Sequence, residues 1–165
     1  MDAVRRLFAG YAGEKQPLAA YAATAGLFGG LFALAVLAAK RSGRSLLPRL
    51  GPGDLLLLGM ATYRLSRLIA RDRVTSFLRA PFVELVGPAG AQGEVVERPR
   101  GTGLQLELGQ LLTSPNSVGQ WVAAGFAYGL LLAPEATRLL ARIMAVALVA
   151  DFVGRAWRAA GKESG

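Results

Sequence analysis

Gln16–Ala39 reads QPLAAYAATAGLFGGLFALAVLAA and contains no charged residue. At about 1.5 Å rise per residue, a helix from Leu18 to Ala39 reaches roughly 33 Å, which matches the hydrocarbon thickness of a bilayer. The stretch therefore predicts an all-α fold, an integral membrane helical bundle. Ahead of it stand Arg5, Arg6 and Lys15, the charge order of a signal sequence. The uncharged run is longer than the roughly 7 to 15 residues of a cleavable apolar region, so an uncleaved signal anchor is expected.

Three further apolar segments follow. Residues 54–70 begin with Leu55, Leu56, Leu57 and Leu58 but then carry Arg64 and Arg67. An arginine near the midplane costs on the order of 3 kcal/mol, so this helix must snorkel, pair or shield both. Residues 118–134 are uncharged and include Trp121, Phe126, Tyr128 and three leucines, whereas 137–156 are interrupted by Arg142 and Asp151. About four spans are expected in a single membrane domain over residues 1–165, at 18–39, 54–70, 118–134 and 137–156. The alternative is three spans plus a half-inserted or interfacial segment.

With four crossings, and with Arg138 and Arg155 at the ends of the fourth segment counted with the flanks they adjoin, the two ends and the 71–117 connection share one side and hold eleven Lys or Arg, against five on the other. The positive-inside bias then places both termini in the cytoplasm, with the protein multi-pass in the cell membrane. In that orientation the second and fourth helices run the same way, and Arg64, Arg67 and Asp151 form a candidate intramembrane polar cluster. A carboxylate beside a guanidinium keeps both ionised and fixes how the helices dock. An Asp151 to Arg155 contact one turn apart, with the other arginines reaching lipid phosphates, is the plainer alternative. Small residues recur every fourth position at Ala22, Gly26 and Gly30 and at Gly119, Ala123 and Ala127, a spacing that lets backbones approach closely within a bundle.

Within 71–117, residues 74–86 have Val74, Phe77, Leu78 and Phe82 at helical spacing, which predicts a surface helix bent at Pro81. Residues 87–103, with five glycines and with Pro88 and Pro99, read as a mobile loop. Residues 104–112 admit a strand or a short helix. Ser114 followed by Pro115 predicts a capped helix start that leads to Trp121. Asp72 and Arg79 are candidate cytoplasmic-surface contacts.

Composition excludes several classes. The chain has no cysteine and no histidine, which removes thiol catalysis, imidazole acid–base chemistry and most zinc and iron sites, so neither cofactor nor metal is expected. With 53% hydrophobic residues and only 18% charged, the net charge of +8 sits beside apolar segments, which favours anionic lipid over nucleic acid as its partner.

A resemblance is carried by Ala61-Thr62-Tyr63-Arg64-Leu65-Ser66-Arg67-Leu68-Ile69, Asp72, Leu78-Arg79-Ala80-Pro81-Phe82, and Leu111-Leu112-Thr113-Ser114-Pro115-Asn116-Ser117 with Gly119 and Trp121. These motifs, covering about the middle third of the chain, resemble the domain of unknown function 1360 family of small bacterial membrane proteins. The family usually carries a Cys-Pro-x-Cys pair before the tryptophan, and here Ser114 and Ser117 stand in those places, so no metal or redox role transfers. The resemblance implies a multi-spanning membrane protein, in some relatives linked to sporulation, without assigned biochemistry.

The expected function is that of a small non-enzymatic membrane protein, a scaffold or accessory subunit. Its expected partners are membrane lipids and a protein or a second copy of itself, with no nucleic acid. Two alternatives stand beside it: a channel or carrier component with Arg64, Arg67 and Asp151 along a polar path, and a lipid-modifying enzyme using Asp72 or Glu84, with Arg79 holding a phosphate.

Overall fold

The structure, a computed structural model, describes residues 18–43, 45, 50–91 and 93–162. The basic flank at Arg5, Arg6 and Lys15 and the loop cations Arg44 and Arg49 lie outside the described residues. Helix α1 (Leu18–Arg41) is rich in alanine and leucine and contains no proline, so nothing interrupts its backbone ladder. Gly43, at φ 63, ends it in the left-handed region that glycine enters without strain. Helix α2 (Pro52–Arg71) starts with proline in its first turn, and Asp54 Oδ2 accepts a hydrogen bond from the Gly51 N–H at 3.1 Å.

After α2 come a 3₁₀ turn (Arg73–Thr75), the four-residue helix α3 (Ser76–Arg79), strands β1 (Val83–Pro88) and β2 (Val95–Pro99), and helices α4 (Leu104–Thr113), α5 (Pro115–Leu132) and α6 (Pro134–Lys162). The chain is thus mostly helical with one small sheet. Among the described residues, α1 alone is long and apolar enough to cross a membrane by length and composition. Helices α2 and α6 carry internal charges, and the first turns of α5 hold Asn116, Ser117 and Gln120.

The hairpin corrects two expectations. Residues 74–86 do not form one bent surface helix, because α3 stops at Arg79 and Val83 already belongs to β1. Pro81 therefore lies beyond a helix end instead of kinking a helix. Residues 87–103 are not simply a loop either: β1 and β2 pair antiparallel, with Val83 opposite Pro99 and Pro88 opposite Val95, and a bulge between Leu85 and Gly87. Pro88 and Pro99 are each the last residue of an edge strand, where a missing N–H interrupts the ladder least. Residues 104–112, which admitted either element, are helical in α4.

Helix α2 is the centre of the bundle. Ala61, Phe126 and Ala141 form its buried core, with Leu57, Leu58, Leu65, Val122 and Met144 packed around them. Ser66 lies against Gly119, while Leu58 and Leu130 line the other end of the same groove, so α2 and α5 run antiparallel. At the α5–α6 corner the backbones come close, since a Cβ on Gly129 would sit 2.5 Å from Thr137 Oγ1. Helix α1 leans on α5 and α4 through an edge-to-face pair of Phe28 and Trp121 (ring centroids 5.1 Å apart) and a hydrogen bond from the Tyr21 hydroxyl to Gln110 Oε1 at 2.7 Å. Of the small-residue series, Gly119 meets Ser66 at a helix crossing, whereas Gly26 and Gly30 face open space.

Candidate functional site

Arg64, Arg67 and Arg71 follow one another at three- and four-residue spacing, which aligns them on one side of α2. The structure gives the first two different partners. Arg64 Nε lies 3.4 Å from Asp151 Oδ2 on α6, so the cross-helix pair forms with Arg64 and not with Arg67. Arg67 instead donates to Glu94, in the connection between the strands, and its guanidinium also stands 5.9 Å from the Tyr63 ring centre. Asp151 faces Arg64 across the helices, while Arg155, one turn on, lies over the ring of Phe152.

Asp72 ends α2. Its Oδ1 accepts the Val74 N–H at 3.0 Å and so caps the 3₁₀ turn, while its backbone bridges to Glu94 and the Arg73 N–H donates to Gly93 O at 2.9 Å. The hairpin connection is thereby drawn down beside the end of α2. Between it and the last turns of α6 opens a cleft of about 680 Å³ lined by Arg64, Asp72, Glu94, Asp151, Arg155 and Arg158, with Gly90 and Ala91 at the hairpin side. Three cations and three anions share it, which suits a partner surface carrying both signs better than a simple anion. Among the described residues, no group of three or more carboxylates is placed to hold a metal ion.

Arg79 is the main correction within the site. It is not a surface contact, because its side chain is 0% exposed and is the largest fully buried one among the described residues. All five of its N–H donors are used: Nε on Glu97, Nη1 on Ile69 O and on Thr75 Oγ1 (2.7 Å), and Nη2 on Asp72 O (2.9 Å) and Ser76 Oγ (3.1 Å). A buried guanidinium is tolerated when charge and donors are both satisfied, and here the buried carboxylate of Glu97 supplies the charge. Arg79 thus fastens the last carbonyls of α2 to strand β2. The cap is closed further by Arg100 Nη2 on Ala80 O (3.0 Å), Gln105 Nε2 on Pro81 O (2.9 Å) and the close approach of Gly109 to Phe82 O.

Ser114 caps α5, its Oγ accepting from Ser117 N–H at 3.3 Å and from the Ser117 hydroxyl at 3.1 Å, with Pro115 in the first turn. Trp121 follows less than two turns later, against Phe28. Sequence reasoning missed Glu94, Glu97 and Arg158, and it named Arg155 only as a neighbour of Asp151 one turn away. The two glutamates lie in a stretch whose opposite charges nearly cancel, and only the hairpin pairing reveals that they face separate arginines.

These features define a class: a mostly helical protein in which a charged cleft and an arginine-pinned hairpin cap sit at one end of a helix bundle, beside an apolar helix near the N-terminus. The chain belongs to the bacterial family described as protein of unknown function (DUF1360), which matches residues 57–157, from within α2 to near the end of α6. Among curated proteins it is similar to the sporulation protein YjcA of Bacillus subtilis (strain 168), 29% identical over 101 residues, covering 60% of this chain and 86% of the relative. No solved structure matches. Helix α1 lies outside the family match, whereas the cleft residues up to Arg155 and the whole cap lie inside it.

Proposed function

We propose that this chain is a small integral membrane protein without catalysis of its own, acting as a scaffold or accessory subunit. Helices α1, α2, α5 and α6 cross the bacterial cell membrane, and both termini and the cap face the cytoplasm. The observation that carries this reading is the bare apolar surface of the outer helices. Leu27, Leu31, Phe32, Leu34 and Leu37 on α1, and Leu139, Ile143, Val146, Val149, Phe152 and Val153 on α6, are each at least 41% exposed. Facing water, such a surface would far exceed the apolar patches that soluble monomers tolerate, and lipid removes the cost. Arg64 and Arg67 are each paired with a carboxylate toward the cap, which lets a helix that carries them enter the bilayer.

The cleft is the proposed docking point for a protein partner, since Arg155 and Arg158 stand exposed at its rim. The carrier alternative draws support from Arg64 and Asp151 lining that cleft. Against it, the helix contact beyond them is filled by Ala61, Phe126 and Ala141. The lipid-modifying alternative loses its phosphate holder, because Arg79 has no donor left to offer.

The test is mild-detergent purification from the source membrane, comparing the wild-type chain with an Arg155→Glu, Arg158→Glu double variant. A partner retained at a fixed ratio by the first and lost by the second, at equal membrane abundance, supports the proposal. Recovery of the folded protein from a high-speed supernatant without detergent overturns the membrane reading. Identical complexes with both forms overturn the cleft as the docking point.

A further inference from the structure

Glu107 lies on α4, away from the charged cleft, and is only 4% exposed. Its Oε2 has no hydrogen-bond partner, and among the described residues it is the one buried side-chain polar atom left so. A buried carboxylate oxygen with nothing to accept from is costly, and native folds retain such groups rarely and at sites that use them. Glu107 also borders a cavity of about 280 Å³ between α1, α4 and α5, whose other walls are Tyr21, Thr24, Ala25, Phe28, Gln120 and Trp121. Three aromatic side chains thus share a small cavity with one buried acid.

From this juxtaposition we propose that the cavity binds a single alkylammonium group, with Glu107 as its counter-ion and the rings of Phe28, Trp121 and Tyr21 as its walls. The chemistry selects that class. A hydrated metal ion needs several oxygen ligands, whereas one carboxyl group with a free acceptor oxygen suits a single N–H donor, and aromatic faces attract an organic cation. An anion is repelled by the same carboxylate. The cavity also has a suitable depth: Tyr21 and Thr24 are in the first two turns of α1 and Trp121 is near the start of α5, all at the end where the cap sits. Under the membrane reading proposed above, on which the lipid source of the amine rests, this is the height of lipid headgroups. The ammonium could then belong to phosphatidylethanolamine or to a free amine, and the chemistry of the site is the same for both.

The protein carries its own reporter. It has two tryptophans, one lining the cavity and the other, Trp157, 81% exposed on α6. In a Trp157→Phe background, Trp121 emission from the full chain in detergent is titrated with ethylammonium chloride at constant ionic strength, with ethanol as the uncharged control. In parallel, emission is compared between nanodiscs of phosphatidylglycerol alone and nanodiscs that also contain phosphatidylethanolamine. The expected result is a saturable change with ethylammonium and none with ethanol, weakened at least tenfold by Glu107→Gln and largely kept by Glu107→Asp. A response to phosphatidylethanolamine together with weak ethylammonium binding identifies a headgroup; tight ethylammonium binding with no lipid response identifies a free amine. The proposal is overturned if neither probe gives a saturable change, if ethanol matches ethylammonium, or if Glu107→Gln binds as well as the parent. The ethanol comparison needs no variant at Glu107, so it stands even if Glu107→Gln does not fold. A protein that needs detergent yet shows no saturable response sinks this inference alone, whereas recovery without detergent sinks the membrane reading and leaves only a free amine as ligand.

Discussion

In the cap the largest fully buried side chain is an arginine, while on α1 and α6 leucines, valines and phenylalanines stand in the open. In a water-soluble domain the positions would be reversed. The cap can bury Arg79 because every donor has a partner and the charge is matched by Glu97. The helices expose Leu34 and Phe152, each 62% accessible, and under the membrane reading proposed above these side chains meet lipid. One chain thus holds a region that buries charge and a region that exposes apolar side chains, joined where α2 ends.

The largest effect should come from breaking the cap. Arg79→Ala removes the counter-charge of buried Glu97 and leaves the carbonyls of Ile69 and Asp72 without a donor, for a loss of about 3–5 kcal/mol. Hydrogen exchange should quicken across β1, β2 and α4 and change little in α5. Arg79→Lys should rescue poorly, since an ammonium has three donors where five are used. On the other side of the comparison, Leu31→Arg tests what solvent α1 meets. In lipid the change costs on the order of 3 kcal/mol and should cut the membrane-integrated fraction sharply, whereas on a water-facing helix it would be nearly silent. Equal integration of the two forms would break the contrast.

A smaller effect is expected at Gly109, where an added Cβ would approach Phe82 O to 2.5 Å and Pro99 Cβ to 3.0 Å. Gly109→Ala should therefore destabilise the cap by about 1–3 kcal/mol in unfolding experiments, with the bundle unaffected. The smallest belongs to the half-exposed pair between the two regions. Arg64→Ala and Asp151→Ala should each cost about 1 kcal/mol and combine less than additively, while Arg67→Ala with Asp151→Ala should be additive. Additivity in the first cycle would show that the pair does not couple the helices.

The helices were legible because their signals are local. The uncharged run from Leu18 and the Ser114-Pro115 start need no distant partner to be interpreted: Leu18–Arg41 is helical, and α5 begins at Pro115. The Arg64–Asp151 contact was readable only as one of several options, since residues 87 positions apart meet through helix packing alone. The hairpin was hidden by its composition: Gly87, Pro88 and Pro99 signal a loop, and they fit a sheet here because Gly87 borders a bulge and both prolines end edge strands. In sequence Arg79 reads as a surface residue because charge ordinarily goes there. Its burial depends on Ile69 O, Asp72 O and Glu97, groups brought to it by the turn after α2 and by strand pairing.

The Arg79 hub also has a mechanical meaning. One guanidinium clasps both the closing turn of α2 and the second strand, so tension on the hairpin is delivered straight to the helix at the middle of the bundle, with no slack loop between them. Anything that grips the cap pulls on the keel of the molecule.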